Sequence, residues 1–220
     1  MAVSLLDQLQ AELPIRLVPY CVAEAATGLV ILDEITAFCT AGTGPLAPAA
    51  PDALIGFVVR ETDSLARRFV ERRWPVLAFV GTHVPVGPHG GGAELVPELA
   101  WLEDEPDATV LRKDCINAFV GAIEPVHHGT HGTSRNRVVD WVNAHRLTSV
   151  LVTGICTDTG VMDFVLTMLS ARNHGMTPTL RDVVVLEPAT ATHPKPATHH
   201  MGLYFMASRG AVLADRVTGL

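Results

Sequence analysis

The chain has 220 residues, 48% of them hydrophobic, and a formal net charge of -7 at neutral pH. That length suits one domain and that apolar share suits one large core, while an acidic balance without any basic stripe argues against a nucleic-acid surface. No apolar run approaches the ~20 residues of a membrane span, and the four scattered cysteines (Cys21, Cys39, Cys115, Cys156) form no C-x-x-C pair, so each is read as a reduced, buried thiol in a cytoplasmic protein.

The first segment, "MAVSLLDQLQAEL", carries leucines at helical spacing and lacks the cationic start of a signal peptide, so residues 1–26 read as a helical extension of a single domain spanning 1–220. A first apolar run, "GLVILD" (28–33), is followed by a Pro/Gly-rich loop over 41–51. The segment 51–74 opens on Pro-Asp and repeats apolar residues at three and four, which predicts a helix. The runs "PVLAFV" (75–80) and "ATVLRK" (108–113) come next, then a loop over 124–136. A helix over 134–146 has Ser134 as its expected cap and leads to "SVLVTG" (149–154). A helix over 157–175 ends on Gly175, the run "DVVVLE" (182–187) follows, and a last helix over 199–210 ends on Gly210.

The runs are continuous rather than alternating, as in strands covered on both faces. Alternation with helices predicts an α/β fold, a parallel three-layer Rossmann-like sheet with helices on both sides. Such sheets bind ligands at the carboxyl ends of their strands, which selects Asp33, the 81–83 corner, Lys113 and the 154–160 turn. Of the 16 basic residues only Lys113 and Lys195 are lysines. In so arginine-rich a chain, a lysine at a strand end reads as a buried ammonium, here paired with Asp33.

Taken together, "ILDEITAFCTAGTGPLAP", "WPVLAFVGTH", "LRKDCINAF", "VTGICTDTGV", "LSARNHG" and "HHMGLYFMASRGA" resemble the isochorismatase-like hydrolases, most closely their plant-type nicotinamidase branch. The likeness runs from about residue 28 to about residue 211. It implies the isochorismatase-like fold, a homo-oligomer, a small-molecule substrate and a triad of aspartate, lysine and cysteine. Asp33 and Lys113 match the first two members, and Gly160 occupies the cysteine position. In the family the ammonium lowers the thiol pKa and the carboxylate accepts the thiol proton. The resemblance also implies a cis Ile155–Cys156 bond, an oxyanion hole from the backbone N–H groups of Cys156 and Gly160, and substrate contacts from Phe38, His83 and Ile155. Cys156 matches a non-catalytic cysteine of plant-type relatives.

Family nicotinamidases hold a divalent metal through an aspartate and histidines. Here Gly81 stands at the aspartate position, His83 and His89 remain, and Gly90 replaces a cysteine, so no metal or other cofactor is expected beyond a weak site at His83 and His89. The cluster His127, His128 and His131 reads as a solvated loop, and His199 and His200 as surface or interface residues opening the last helix. The last helix and the 124–136 loop are the expected contact regions between copies.

Three functional readings follow. The first is a hydrolase that works without a cysteine nucleophile, Asp33 acting as general acid or base, as in isochorismatases proper, which carry glycine at the same position. The second is a catalytically inactive homologue that binds a small molecule or serves assembly. A third takes Gly160 as a cysteine replaced by design, against which the change at Gly81 speaks.

Overall fold

The computed structural model describes residues 4–83, 92–126, 133–193 and 195–220. Its strands in chain order are β1 (Val18–Cys21), β2 (Thr27–Leu32), β3 (Val76–Gly81), β4 (Ala108–Lys113), β5 (Ile123–Val126), β6 (Thr133–Asn136), β7 (Ser149–Ile155), β8 (Asp182–Ala191) and β9 (Val212–Thr218). Seven of them form one parallel sheet in the order β1-β9-β8-β7-β2-β3-β4, and β5 and β6 make a separate antiparallel pair. All five apolar runs are strands of the parallel sheet, as expected.

The helices are α1 (Leu5–Glu12), α2 (Thr36–Cys39), α3 (Ala53–Glu71), α4 (Ala118–Gly121), α5 (Arg137–Ala144), α6 (Met162–Asn173) and α7 (Pro196–Ser208). Successive residues of β2 point to opposite faces, so each feeds a different core. Leu29 and Ile31 pack with Ile55, Val58 and Phe69 of α3. Val30 and Leu32 pack with Trp141 of α5, Phe164 of α6 and Leu203 of α7. Every residue of β2, β3 and β7 is buried, which is why those runs lack polar alternation. Gly28 is required by this packing, since a Cβ there would lie 2.4 Å from Trp141 Cη2.

The structure departs from the expected elements in several places. Residues 18–21 leave the N-terminal segment to join the sheet, and 212–218 add a further strand beyond the last helix. Both are hard to see in the sequence: β1 is short and holds Pro19, while β9 carries Asp215 and Arg216 in a half-exposed pattern. Part of the 124–136 loop is the β5–β6 pair, so α5 starts at Arg137 and its cap is Asn136, not Ser134. Asn136 Oδ1 accepts from the Val138 and Val139 N–H groups at 2.9 and 3.2 Å, and its Nδ2 donates to Phe119 O at 2.7 Å. The segment after β7 starts as a wide turn over Thr157–Val161 before α6 begins, and α7 begins three residues earlier than expected, on Pro196. The four cysteines are free and half-buried rather than fully buried.

The chain adds β3 and β4 on one side of β2, and β8 and β9 on the far side of β7. The boundary between β2 and β7 is therefore the topological switch point, where strand ends diverge and leave a crevice. Glu34, just past β2, anchors this edge to α3. It is fully buried; its Oε1 accepts from Thr62 Oγ1 at 2.7 Å, and Oε2 has no partner among the described residues. Burial pushes its carboxyl up to about 8, against a smaller pull from Thr62, so it sits there as a neutral acid near pH 7.

Because the folded pKa lies above the unfolded one, ionisation favours the unfolded chain, and this group's contribution to stability falls as pH rises from about 4.5 to about 8. Glu34→Gln is expected to fold and to flatten that part of the slope. Urea midpoints of both proteins at about pH 5 and about pH 8 check this; equal slopes would remove the neutral-acid assignment.

Candidate active site

Asp33 is the first residue past β2, and its backbone adopts φ 53. This left-handed conformation is one that aspartate tolerates better than most side chains. Its N–H donates to Phe79 O at 3.1 Å, fixing the corner against β3. Lys113 ends β4, two strands away, which places the two backbones roughly 10 Å apart. The side chains must therefore meet over the end of β3.

Gly81 is what ends β3, level with Lys113. A Cβ there would lie 3.0 Å from Asp33 Oδ1 and 3.1 Å from His83 Cε1, so the missing side chain keeps the gap open. Across it Lys113 Nζ lies 2.7 Å from Asp33 Oδ2, with the two side chains 1% and 5% exposed. Nζ also donates to Cys115 O at 3.0 Å and Ile116 O at 3.1 Å. Three acceptors match the three N–H bonds of an ammonium, so the buried charge is fully partnered.

The carboxylate is not. Asp33 Oδ1 is buried without a hydrogen-bond partner among the described residues, the Gly81 amide lying near it but outside hydrogen-bond geometry. Burial pushes the Asp33 pKa up. The charge and hydrogen bond of Lys113 pull it back, with smaller help from His83 and Gly81, but do not cancel the rise. Position 160 faces the other oxygen: a Cβ on Gly160 would lie 3.3 Å from Asp33 Oδ2 and 3.8 Å from Ile116 O. One glycine thus stands against each oxygen of the carboxylate.

The turn bearing Gly160 is set by β7. Gly154 adopts φ +128, and a Cβ there would come within 2.1 Å of Leu32 O, so β7 passes β2 at backbone contact just below Asp33. The Ile155–Cys156 peptide is cis. Cys156 O accepts from the N–H groups of Thr159 and Val161, both at 3.2 Å. Contacts not expected from the sequence hold the turn from behind. Thr157 is fully buried with His199 Nδ1 2.9 Å from its Oγ1, and Thr192 Oγ1 donates to Asp158 Oδ1 at 2.7 Å. No local pattern could reveal them, since the partners are 34 and 42 residues apart.

The Cys156 sulfur makes no hydrogen bond to Asp33 or Lys113. Burial, with help from Asp158 and Asp33, pushes its thiol up to about 11, which keeps it protonated at neutral pH. It lies instead in the wall of a cavity of about 470 Å3, together with Phe38, Leu46, Ile155, His193 and Lys195. Phe38, Ile155 and Cys156 share this cavity, while Asp33, Lys113 and Gly160 do not line it and are buried beside the strand ends. A larger cavity, about 550 Å3, lies between α3 and α7 among Leu54, Phe57 and His199, and shares only His193 with the first.

The remaining histidines divide. His83 is exposed beside Gly81 and contributes its charge to the Asp33 corner. His199 is half-buried, and His200, expected at the surface or an interface, is buried within the chain with Nε2 2.9 Å from Leu13 O, tying α7 to the segment after α1. His89 and Gly90 of the weak metal site, and His127, His128 and His131, lie outside the described residues. Among the described residues no three His, Cys, Asp or Glu side chains are grouped to hold a metal. Gly81 itself offers no side chain with which to ligate a cation. No described helix is long and apolar enough to cross a membrane.

Comparison with known proteins agrees with this architecture. Nicotinamidase 1 of Arabidopsis thaliana is 39% identical over 243 residues, covering 98% of this chain and 97% of that protein. Among solved structures, nicotinamidase PncA of Bacillus subtilis superposes with a TM-score of 0.64 at 20% identity, covering 86% of this chain and 99% of its own. N-carbamoylsarcosine amidase of Thermoplasma acidophilum gives 0.61 at 18%, covering 86% and 95%. At that identity the two structures establish the fold alone. The model of the isochorismatase domain matches residues 27–217, which takes in the whole sheet except β1 and the last residue of β9, and the chain belongs to the isochorismatase family.

Proposed function

We propose that the protein is a hydrolase of a small molecule that acts without a cysteine nucleophile, Asp33 serving as general acid or base toward water. The observation that carries this reading is the buried Asp33–Lys113 pair at 2.7 Å with Gly160 against the carboxylate, at the position the family resemblance gives to the thiol. The likeness to Nicotinamidase 1 supports a hydrolytic reaction on a small amide, while the glycine at 160 suits an isochorismatase-like vinyl ether equally well.

For an amide, water adds to the carbonyl carbon, Asp33 takes its proton, and the same carboxyl returns a proton to the leaving nitrogen as the C–N bond breaks. For a vinyl ether, Asp33 in its acid form protonates the double bond, water adds to the resulting oxocarbenium ion and returns a proton to Asp33, and the hemiketal then collapses with cleavage of its C–O bond to a carbonyl product and an alcohol. Both use the unpartnered Oδ1 as the proton carrier, and both benefit from a pKa raised by burial. Lys113 holds the carboxyl in place and fixes which oxygen is left for the proton. The backbone N–H groups of Cys156 and Gly160 serve as the oxyanion hole in the amide reaction. Phe38 and Ile155 shape the cavity beside them, with His83 near the corner.

The second reading is a non-catalytic, small-molecule-binding or assembly protein. Glycine at both 160 and 81, one against each carboxylate oxygen, favours it, because a nucleophile and an anionic metal ligand are absent together. Under either reading the protein is expected to work as a homo-oligomer in the cytoplasm and without a cofactor.

A panel of small amides and vinyl ethers separates the readings. Hydrolysis is expected to fall at least about 100-fold in Asp33→Asn and to persist in Cys156→Ala. The rate for a vinyl ether is expected to decline as pH rises through the elevated Asp33 pKa, since the acid form does the work. Equal background rates in wild type and Asp33→Asn would leave only the binding reading. A second test probes the placement of residue 160. In Gly160→Cys the new thiol would sit beside the Asp33–Lys113 pair, and its alkylation by iodoacetamide at neutral pH is expected to be at least about tenfold faster than that of Cys156 in the wild type. A new thiol as inert as Cys156 would overturn the placement.

A further inference from the structure

The chain's two lysines have opposite surroundings. Lys113 is sealed inside with three acceptors, whereas Lys195 is exposed and stands in the wall of the cavity that also holds Phe38, Ile155 and Cys156. Lys195 forms no ion pair among the described residues. Its backbone is nonetheless fixed: its N–H donates to Thr192 O at 3.0 Å, and its carbonyl accepts from the His199 N–H at 3.1 Å and from Thr198 Oγ1 at 3.0 Å. The base is fixed at the cavity wall, and the flexible stem lets the ammonium swing toward a ligand there.

The nearby carboxylates are already engaged. Asp52 lies 2.6 Å from His193 Nδ1, Asp158 accepts from Thr192, and Asp33 is paired with Lys113. Much of the remaining wall is apolar, formed by Phe38, Leu46, Ile55 and Ile155. Burial and then the charges of Asp158 and Asp33 raise the Cys156 pKa, and the charge of Lys195, acting on the same thiol in the cavity wall, opposes that rise in part. A largely apolar cavity of about 470 Å3 with a lysine in its wall that forms no ion pair among the described residues complements a small molecule with an apolar body and an anionic end.

We propose that Lys195 is a specificity residue that selects a substrate carrying a carboxylate, held at the cavity edge while the hydrolysable group lies toward Asp33. The assignment of a hydrolysable group rests on the hydrolase reading above; the preference for an anion is a property of binding and is tested as such. The probes are the three ring isomers of carbamoylbenzoate and their neutral methyl esters, titrated calorimetrically into wild type, Lys195→Gln and Lys195→Arg.

At least one acid is expected to bind about tenfold or more tighter than its ester, in keeping with a charge-assisted hydrogen bond. That preference is expected to shrink to about twofold or less in Lys195→Gln, to survive largely in Lys195→Arg, and to fall with added sodium chloride. Equal affinities for acid and ester, a preference that persists in Lys195→Gln, or no measurable binding of any acid would each overturn the proposal. The two readings fail separately. Lys195-dependent binding of an acid that no variant hydrolyses would sink the hydrolase and keep the anion site. Asp33-dependent hydrolysis of amides with no preference for charge would do the reverse.

Discussion

An ammonium and a carboxylate held 2.7 Å apart, both cut off from solvent, constrain the rest of this site. Each charge alone would be costly to bury, and their attraction compensates only when the remaining hydrogen-bonding capacity is met. Lys113 meets it through two carbonyls of the loop that follows β4, so the ion pair also dictates the path of that loop. The pair bridges an intervening strand, and Gly81 at the end of that strand leaves room beside the Asp33 carboxylate.

The asymmetry of the carboxylate links structure to chemistry. Oδ2 is held by the ammonium and Oδ1 is left without a partner, in a setting that raises the pKa. Glu34, the next residue, also keeps one oxygen unpartnered, but it lacks a cation beside it: turned into α3 and held by Thr62, it is made a neutral acid by burial. Two adjacent acids are thus assigned to different work by which face of the sheet each meets.

Around this centre the family's fold is retained, and glycine stands at position 160 beside the carboxylate. The turn from Cys156 to Gly160 is buttressed by Thr192 and His199, contacts that have no purpose in a collapsed site. The cavity beside it carries the chain's second lysine, so the two rare ammonium groups flank the strand ends from inside and outside.

The sequence by itself determined the layered α/β fold, because strands buried on both faces must be apolar throughout and the helices between them repeat at helical spacing. It also marked Asp33 and Lys113, since charged residues ending such runs stand out, and it placed Gly160 through a motif that is contiguous in the chain. The edge strands β1 and β9 were not legible, because a half-exposed strand with Pro19 or Asp215 and Arg216 resembles a loop. Nor was the cap Asn136, hidden by a preceding serine that belongs to a strand. Only the tertiary structure decided which side chains meet: that Gly81 clears the way for the ion pair, that His200 is buried against Leu13, and that Lys195 shares a cavity with Phe38. Periodicity is a property of neighbours along the chain, whereas these contacts join residues brought together by sheet order, which no local pattern encodes.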